Sequence, residues 1–158
     1  MFAGISSYMG QDHSNTVRAW ALVAVQLSAL AYLALTGPVV SARASLLALE
    51  VAALVPGLWA VAVIRPWNLR ITPTPHPRAT LVTRGPYRWI RHPMYTSLLV
   101  LTAAWLADEF SAARGLVWCA FVANMVVKMA VEERHLARRF EQFDAYRRAT
   151  WRVIPFVF

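Results

Sequence analysis

No charged residue lies between Arg18 and Arg43, and Ala19–Leu35 inside that stretch is a nearly unbroken apolar run. A bilayer core is crossed by about 20 such residues. In lipid every backbone N–H and C=O must be satisfied within the segment or with a neighbouring strand, so a single apolar run has to be a helix. Gly37-Pro38 closes this first span. A second, at about Ser45–Ile64, carries Glu50 and a Pro56-Gly57 pair expected to kink it. Arg65-Pro66-Trp67 ends it with a positive charge and an interfacial tryptophan. The whole chain, 158 residues and 58% apolar, belongs to the membrane class and has the length of one domain.

Two shorter apolar runs follow, Pro93–Ala107 with 15 residues and Gly115–Val127 with 13. They read as a second helical hairpin whose ends run on into charged residues, the last helix continuing past Lys128 into Glu132-Glu133. A re-entrant hairpin is the alternative. The expected architecture is an all-α integral membrane protein with about four transmembrane helices plus a C-terminal amphipathic helix. Its parts are a polar tail at 1–16, a hairpin at 17–65, a polar loop at 66–92, a hairpin at 93–131, and a C-terminal helix and tail at 132–158. The tail is read as flexible or lying on the surface. The first run is long enough to span rather than to serve as a signal peptide.

The net charge of +8 is unevenly placed. Six arginines and no acid lie from Arg65 to Arg91, and seven basic residues with four acids from Lys128 to Arg152. Charge that flanks apolar runs reports topology rather than nucleic-acid binding. Four spans with both termini, the 66–92 loop and the C-terminal segment in the cytosol satisfy the positive-inside rule. Cys119 sits alone in an apolar run and has no internal disulfide partner. His13, His76, His92 and His135 are scattered, so no metal site is expected.

The polar stretch with most local information is Arg84-Gly85-Pro86-Tyr87-Arg88-Trp89-Ile90-Arg91-His92-Pro93-Met94-Tyr95. Prolines bias Gly85 and His92 toward extended backbone, and Pro86 and Pro93 suit helix starts. Tyr87 and Arg91, four apart, are expected to share a face. Helix starts offer free N–H groups and partial positive charge for a polar or anionic ligand. A basic, aromatic linker on a membrane surface has the same composition. Further on, Asn124, Lys128 and Glu132 line one helix face, with Glu133 about 100° round from Glu132. The two carboxylates therefore have different tasks: one can face a ligand while the other pairs with a cation such as Arg88 or Arg91. Leu136, Phe140, Phe143 and Tyr146 recur at three- and four-residue intervals, which predicts an amphipathic helix leaving before Pro155.

Leu81–Tyr87 followed by Arg91-His92-Pro93-Met94-Tyr95, after an approach through Thr74-Pro75-His76-Pro77, resembles the signature of the isoprenylcysteine carboxyl methyltransferase and phospholipid methyltransferase superfamily. Glu132-Glu133-Arg134-His135-Leu136 with Phe140, Tyr146, Arg152 and Ile154-Pro155 is similar to its C-terminal block. The match covers about residues 72–155. The resemblance implies a membrane enzyme that uses S-adenosylmethionine, with a lipid or lipophilic acceptor; the charge distribution separately places both blocks on the cytosolic side, with the inner membrane as the expected host. The resemblance also implies cofactor binding by Tyr87, Arg91, His92, Pro93, Tyr95, Glu132, Glu133 and Leu136. Arg152 and Tyr146 are then the candidate catalytic residues, with Arg152 matching the arginine of the closing motif. The chain departs from the pattern: Glu141 replaces a glycine after Phe140, Phe143 a tyrosine, Trp151 a proline, and Thr96-Ser97 stand where a glycine is frequent. A sterol-type reductase using a nicotinamide cofactor and a catalytically inactive membrane scaffold are the rival readings. The first lacks a glycine-rich dinucleotide loop.

Overall fold

A computed structural model describes the backbone of residues 3–64 and 80–155, with side chains from residue 16 onward in those ranges. The Arg65-Pro66-Trp67 segment and the proline-rich approach with His76 lie outside the described residues. Helix α1 is Ala3–Leu35, α2 Ala44–Val63, α3 Pro93–Asp108, α4 Ala112–Arg139 and α5 Phe143–Arg148, with a 3₁₀ turn at Gly85–Arg88 before α3. The backbone is helical from Ala3, so the segment expected as a polar tail continues α1.

Three helices are long and apolar enough to cross a membrane: Thr16–Leu35 of α1, α2 and α4. The fourth, α3, has 16 residues and reaches about 24 Å, short of a bilayer core of about 30 Å. The four alternate in direction. The α2 helix packs on α3, and α1 on α4. Pro56 sits inside α2, which continues through it. The α2–α3 contact is close because its residues are small: Ala53 and Ala60 are buried, and a Cβ on Gly57 would stand 2.5 Å from Ser97 Oγ. Ser97 Oγ also donates to the Ala53 carbonyl at 2.5 Å. The core lies between α1, α3 and α4, where Ala29, Phe121, Met125 and Met129 pack with Val153 of the tail.

The end of the bundle carrying the α1–α2 and α3–α4 turns is fastened by Arg114. Its guanidinium donates to the Leu33 carbonyl at 3.0 Å, Thr36 Oγ1 at 2.8 Å and the Trp105 carbonyl at 2.8 Å. These acceptors lie at the C-terminal ends of α1 and α3, where a cation is favoured. Glu50 accepts from Ser41 N at 3.2 Å and holds the α1–α2 turn.

The amphipathic helix expected from Leu136 to Tyr146 is interrupted. The α4 helix stops at Phe140, whose φ −121 and ψ 110 are extended, and a turn separates it from the six residues of α5. Phe143 packs at 1% exposure while Phe140 does not. The break lets α5 fold back on the 3₁₀ turn. Phe140 is extended with negative φ, and Gln142, which precedes α5, has φ −77 and ψ −6.

Candidate active site

The sequence around Pro86 and Pro93 builds the approach to the site. Gly85 has φ +61, which corrects the extended expectation: without a Cβ it enters the left-handed region freely. It also passes Val63 closely, where a Cβ would stand 3.0 Å from Val63 Cγ1. Pro86 is second in the 3₁₀ turn and Pro93 begins α3, first-turn positions that their fixed φ suits. His92, with φ −125 and ψ 59, stays out of the helical region as a residue before proline does. The chain leaves the turn at Trp89, so Tyr87 and Arg91 do not share a helical face. Both instead dock on α5 and the residues after it. Tyr146 Oη donates to the Tyr87 carbonyl at 2.7 Å, and Arg91 Nη1 donates to the Arg147 carbonyl at 2.9 Å and to the Thr150 carbonyl.

Backbone pairing joins the two distant blocks. Ile90 and Trp151 form a parallel bridge: Arg91 N donates to the Trp151 carbonyl at 2.8 Å, His92 N to the Arg152 carbonyl at 3.1 Å, and Trp151 N to the Trp89 carbonyl at 2.9 Å. Thr96 Oγ1 reaches the Val153 carbonyl at 2.9 Å and fixes the tail on the first turn of α3. Trp151, in place of the usual proline, supplies an N–H that a proline lacks.

Glu133 lies at the centre, with its side chain 6% exposed. It accepts from Arg91 Nε at 2.9 Å, His92 Nε2 at 3.2 Å, Arg152 Nε at 3.1 Å and Arg152 Nη2 at 2.5 Å. An ionised carboxylate only accepts hydrogen bonds, so His92 Nε2 carries the hydrogen. A buried charge persists only when paired and hydrogen-bonded, and two guanidinium groups do both here. Glu132 is different. Its side chain is 33% exposed; it accepts from Tyr95 Oη at 3.3 Å and lies 3.7 Å from His92 Nδ1. The His92 and Tyr95 rings stack with centroids 5.4 Å apart. Of the two carboxylates, Glu133 takes the pairing task with Arg91, and Glu132 is the one open to a ligand. Arg88 lies over the Trp89 ring at 4.6 Å.

Burial, then the nearby Glu132 charge, pushes the Tyr87 phenol up to about 12. Burial likewise raises Tyr146, against the lowering effect of Arg91. Both hydroxyls stay protonated at neutral pH, and that of Tyr146 donates to the Tyr87 carbonyl. Pro93 is buried at the start of α3, and Leu136 stands one turn beyond Glu132 on α4. Among the described residues, no group of three or more His, Cys, Asp and Glu could hold a metal. Two contributors escaped sequence reasoning: Thr96, noticed only as a departure from glycine, and Thr150, whose carbonyl and hydroxyl both accept from Arg91. The signal was available in Arg91, since a buried guanidinium needs several acceptors and one carboxylate cannot supply them all.

Comparison with known proteins adds three findings. The cobalt-zinc-cadmium resistance protein CzcN of Cupriavidus metallidurans is 35% identical over 77 residues, which are 48% of this chain and 36% of that protein. The matched stretch thus spans little more than a third of that relative's length. No solved structure matches the chain. Residues 47–142, more than half of the chain, match the phospholipid methyltransferase family, a span that includes His92, Tyr95, Glu132 and Glu133. The chain therefore belongs to the phospholipid methyltransferase family.

Proposed function

We propose that this protein transfers a methyl group from S-adenosylmethionine to a lipid or lipophilic acceptor, by carboxylate O-methylation or amine N-methylation. The observation that carries the reading is the convergence of the two sequence blocks on one buried polar cluster with a single partly open carboxylate, Glu132. That carboxylate fits a cofactor that offers an ammonium, a sulfonium and ribose hydroxyls. Glu132, oriented by Tyr95 and His92, would hold the cofactor, which would supply an electrophilic methyl group to the acceptor's carboxylate oxygen or amine nitrogen and would leave as the neutral thioether, an amine also losing a proton.

Glu132 faces the cofactor's positive end. Tyr95 and His92 orient Glu132, while Glu133 and Arg91 hold His92 and the tail in register. Tyr87 and Pro93 shape the entrance, with Leu136 as apolar wall. The first turn of α3 has N–H groups without helical partners, which suits a carboxylate group of the ligand. Arg152, gripped by Glu133 through Nε and Nη2, presents a guanidinium of fixed orientation toward the acceptor's anionic group. Tyr146 closes the same side. Positioning and exclusion of water supply most of the rate for a transfer of this kind. The arginine distribution supports a cytosolic location for this end of the bundle and for both termini, with the inner membrane as host.

Titration calorimetry with S-adenosylhomocysteine and with a dinucleotide phosphate tests the reading. The homocysteine product should bind and the dinucleotide should not. Dinucleotide binding would establish the reductase alternative, and heat from neither would leave a scaffold.

A further inference from the structure

A second polar group lies deeper in the bundle than the cluster. Lys128 of α4 is 1% exposed, yet it stands one turn before Glu132 on the same helix face. Its Nζ donates to Gln26 Oε1 of α1 and lies 5.6 Å from the centroid of the Tyr95 ring. The same Tyr95 reaches Glu132 with its hydroxyl. One turn further in, Asn124 donates to the Leu22 carbonyl at 3.0 Å. Gln26 and Asn124 are themselves buried, at 9% and 7% exposure.

Packing does not require an ammonium at this depth. Met125 and Met129, its neighbours on α4, are fully buried in the core. A methionine of similar reach would fill the Lys128 site without placing a charge inside a membrane helix. Charges in such helices are costly and mark ligand paths. Lys128 lies about 6 Å along α4 from Glu132, between the apolar core and the polar cluster. A lipid whose alkyl part lies against the apolar outer faces of the helices would bring its polar end to this depth.

We propose that Lys128 binds the oxyanion at the polar end of the lipophilic acceptor, a carboxylate or a phosphate, and so selects anionic acceptors over neutral ones of the same shape. This rests on the methyl-transfer reading. Gln26 takes one of the ammonium's three donors. Arg152, on the other side of the cluster, can engage the same group from the aqueous end.

The test uses the full chain in detergent micelles at pH 8, with 11-(dansylamino)undecanoic acid and its methyl ester as matched anionic and neutral probes. Lys128→Met should weaken binding of the acid by about tenfold or more, the effect of losing one hydrogen bond between charged partners. It should leave the ester and S-adenosylhomocysteine unaffected. Lys128→Arg should keep the preference for the acid. Should Lys128→Met aggregate, Lys128→Gln removes the charge while keeping an amide beside Gln26, with the same expectation. Unchanged binding of the acid, or equal loss of acid and ester, overturns the proposal. Displacement of the acid by dodecanoic acid alone assigns a carboxylate, and by lysophosphatidic acid alone a phosphate; both sustain the site, and displacement by neither overturns it. Failure of the methyl-transfer reading would show separately, as absence of S-adenosylhomocysteine binding to a wild type that still prefers the acid to the ester.

Discussion

Replacing Glu133 by glutamine keeps the shape of the side chain and removes its charge. The carboxylate accepts four hydrogen bonds, three of them from two guanidinium groups. In the variant one oxygen becomes an NH₂ donor facing donors. Arg91 is 10% exposed and Arg152 25%, so neither can turn fully to water. Removing one partner of a buried pair costs about 3–5 kcal/mol. The residual exposure of Arg152 puts the expected loss near the lower end, about 3 kcal/mol. For a chain of this size that corresponds to a fall in melting temperature of about 6–12 °C. Glu132→Gln, at a third exposed, should cost no more than about 1 kcal/mol. Intrinsic tryptophan fluorescence during heating in dodecylmaltoside reads both variants. A Glu133→Gln variant that melts with the wild type, or equal shifts for the two, would refute the assignment of Glu133 as the central counter-ion and Glu132 as the open carboxylate.

In a variant whose Cys119 is replaced by alanine, single cysteines at Val40 and Thr80, both exposed, should be labelled from opposite sides of the membrane; labelling from one side rejects the four-span topology. Gly57→Val should separate α2 from α3, since even a Cβ there would stand 2.5 Å from Ser97 Oγ, and the loss should exceed about 1 kcal/mol in thermal melts; a wild-type melt would contradict the close packing. Arg152→Lys should leave S-adenosylhomocysteine affinity unchanged in calorimetry and slow transfer by about tenfold or more, because an ammonium cannot reproduce the fork that grips Glu133.

The four helices were legible because apolar runs between charged segments have few alternatives in lipid. The extension of α4 past Lys128 was legible too, since helical spacing carries Asn124, Lys128 and Glu132 down one face. The division of labour between Glu132 and Glu133 was readable only in form: the 100° between them shows that they differ, not which one meets Arg91. That depends on the parallel bridge between Ile90 and Trp151, a long-range pairing with no local signal. The break at Phe140 escaped for a related reason. Periodicity ran on through Phe143 and Tyr146, but Tyr146 gains its partner, the Tyr87 carbonyl, only if the chain turns first. Gly85 was misread because the pre-proline rule describes residues that carry a Cβ.

The most direct measurement of the central claim is the transfer of tritiated methyl from S-adenosylmethionine into organic-extractable material by membranes carrying this protein. Wild-type membranes should incorporate label well above membranes without the protein. Membranes with an equal amount of Glu132→Gln should incorporate about tenfold less or lower still, since the carboxylate proposed to face the cofactor is lost. Label no higher than the protein-free level, or undiminished in Glu132→Gln, would contradict the account.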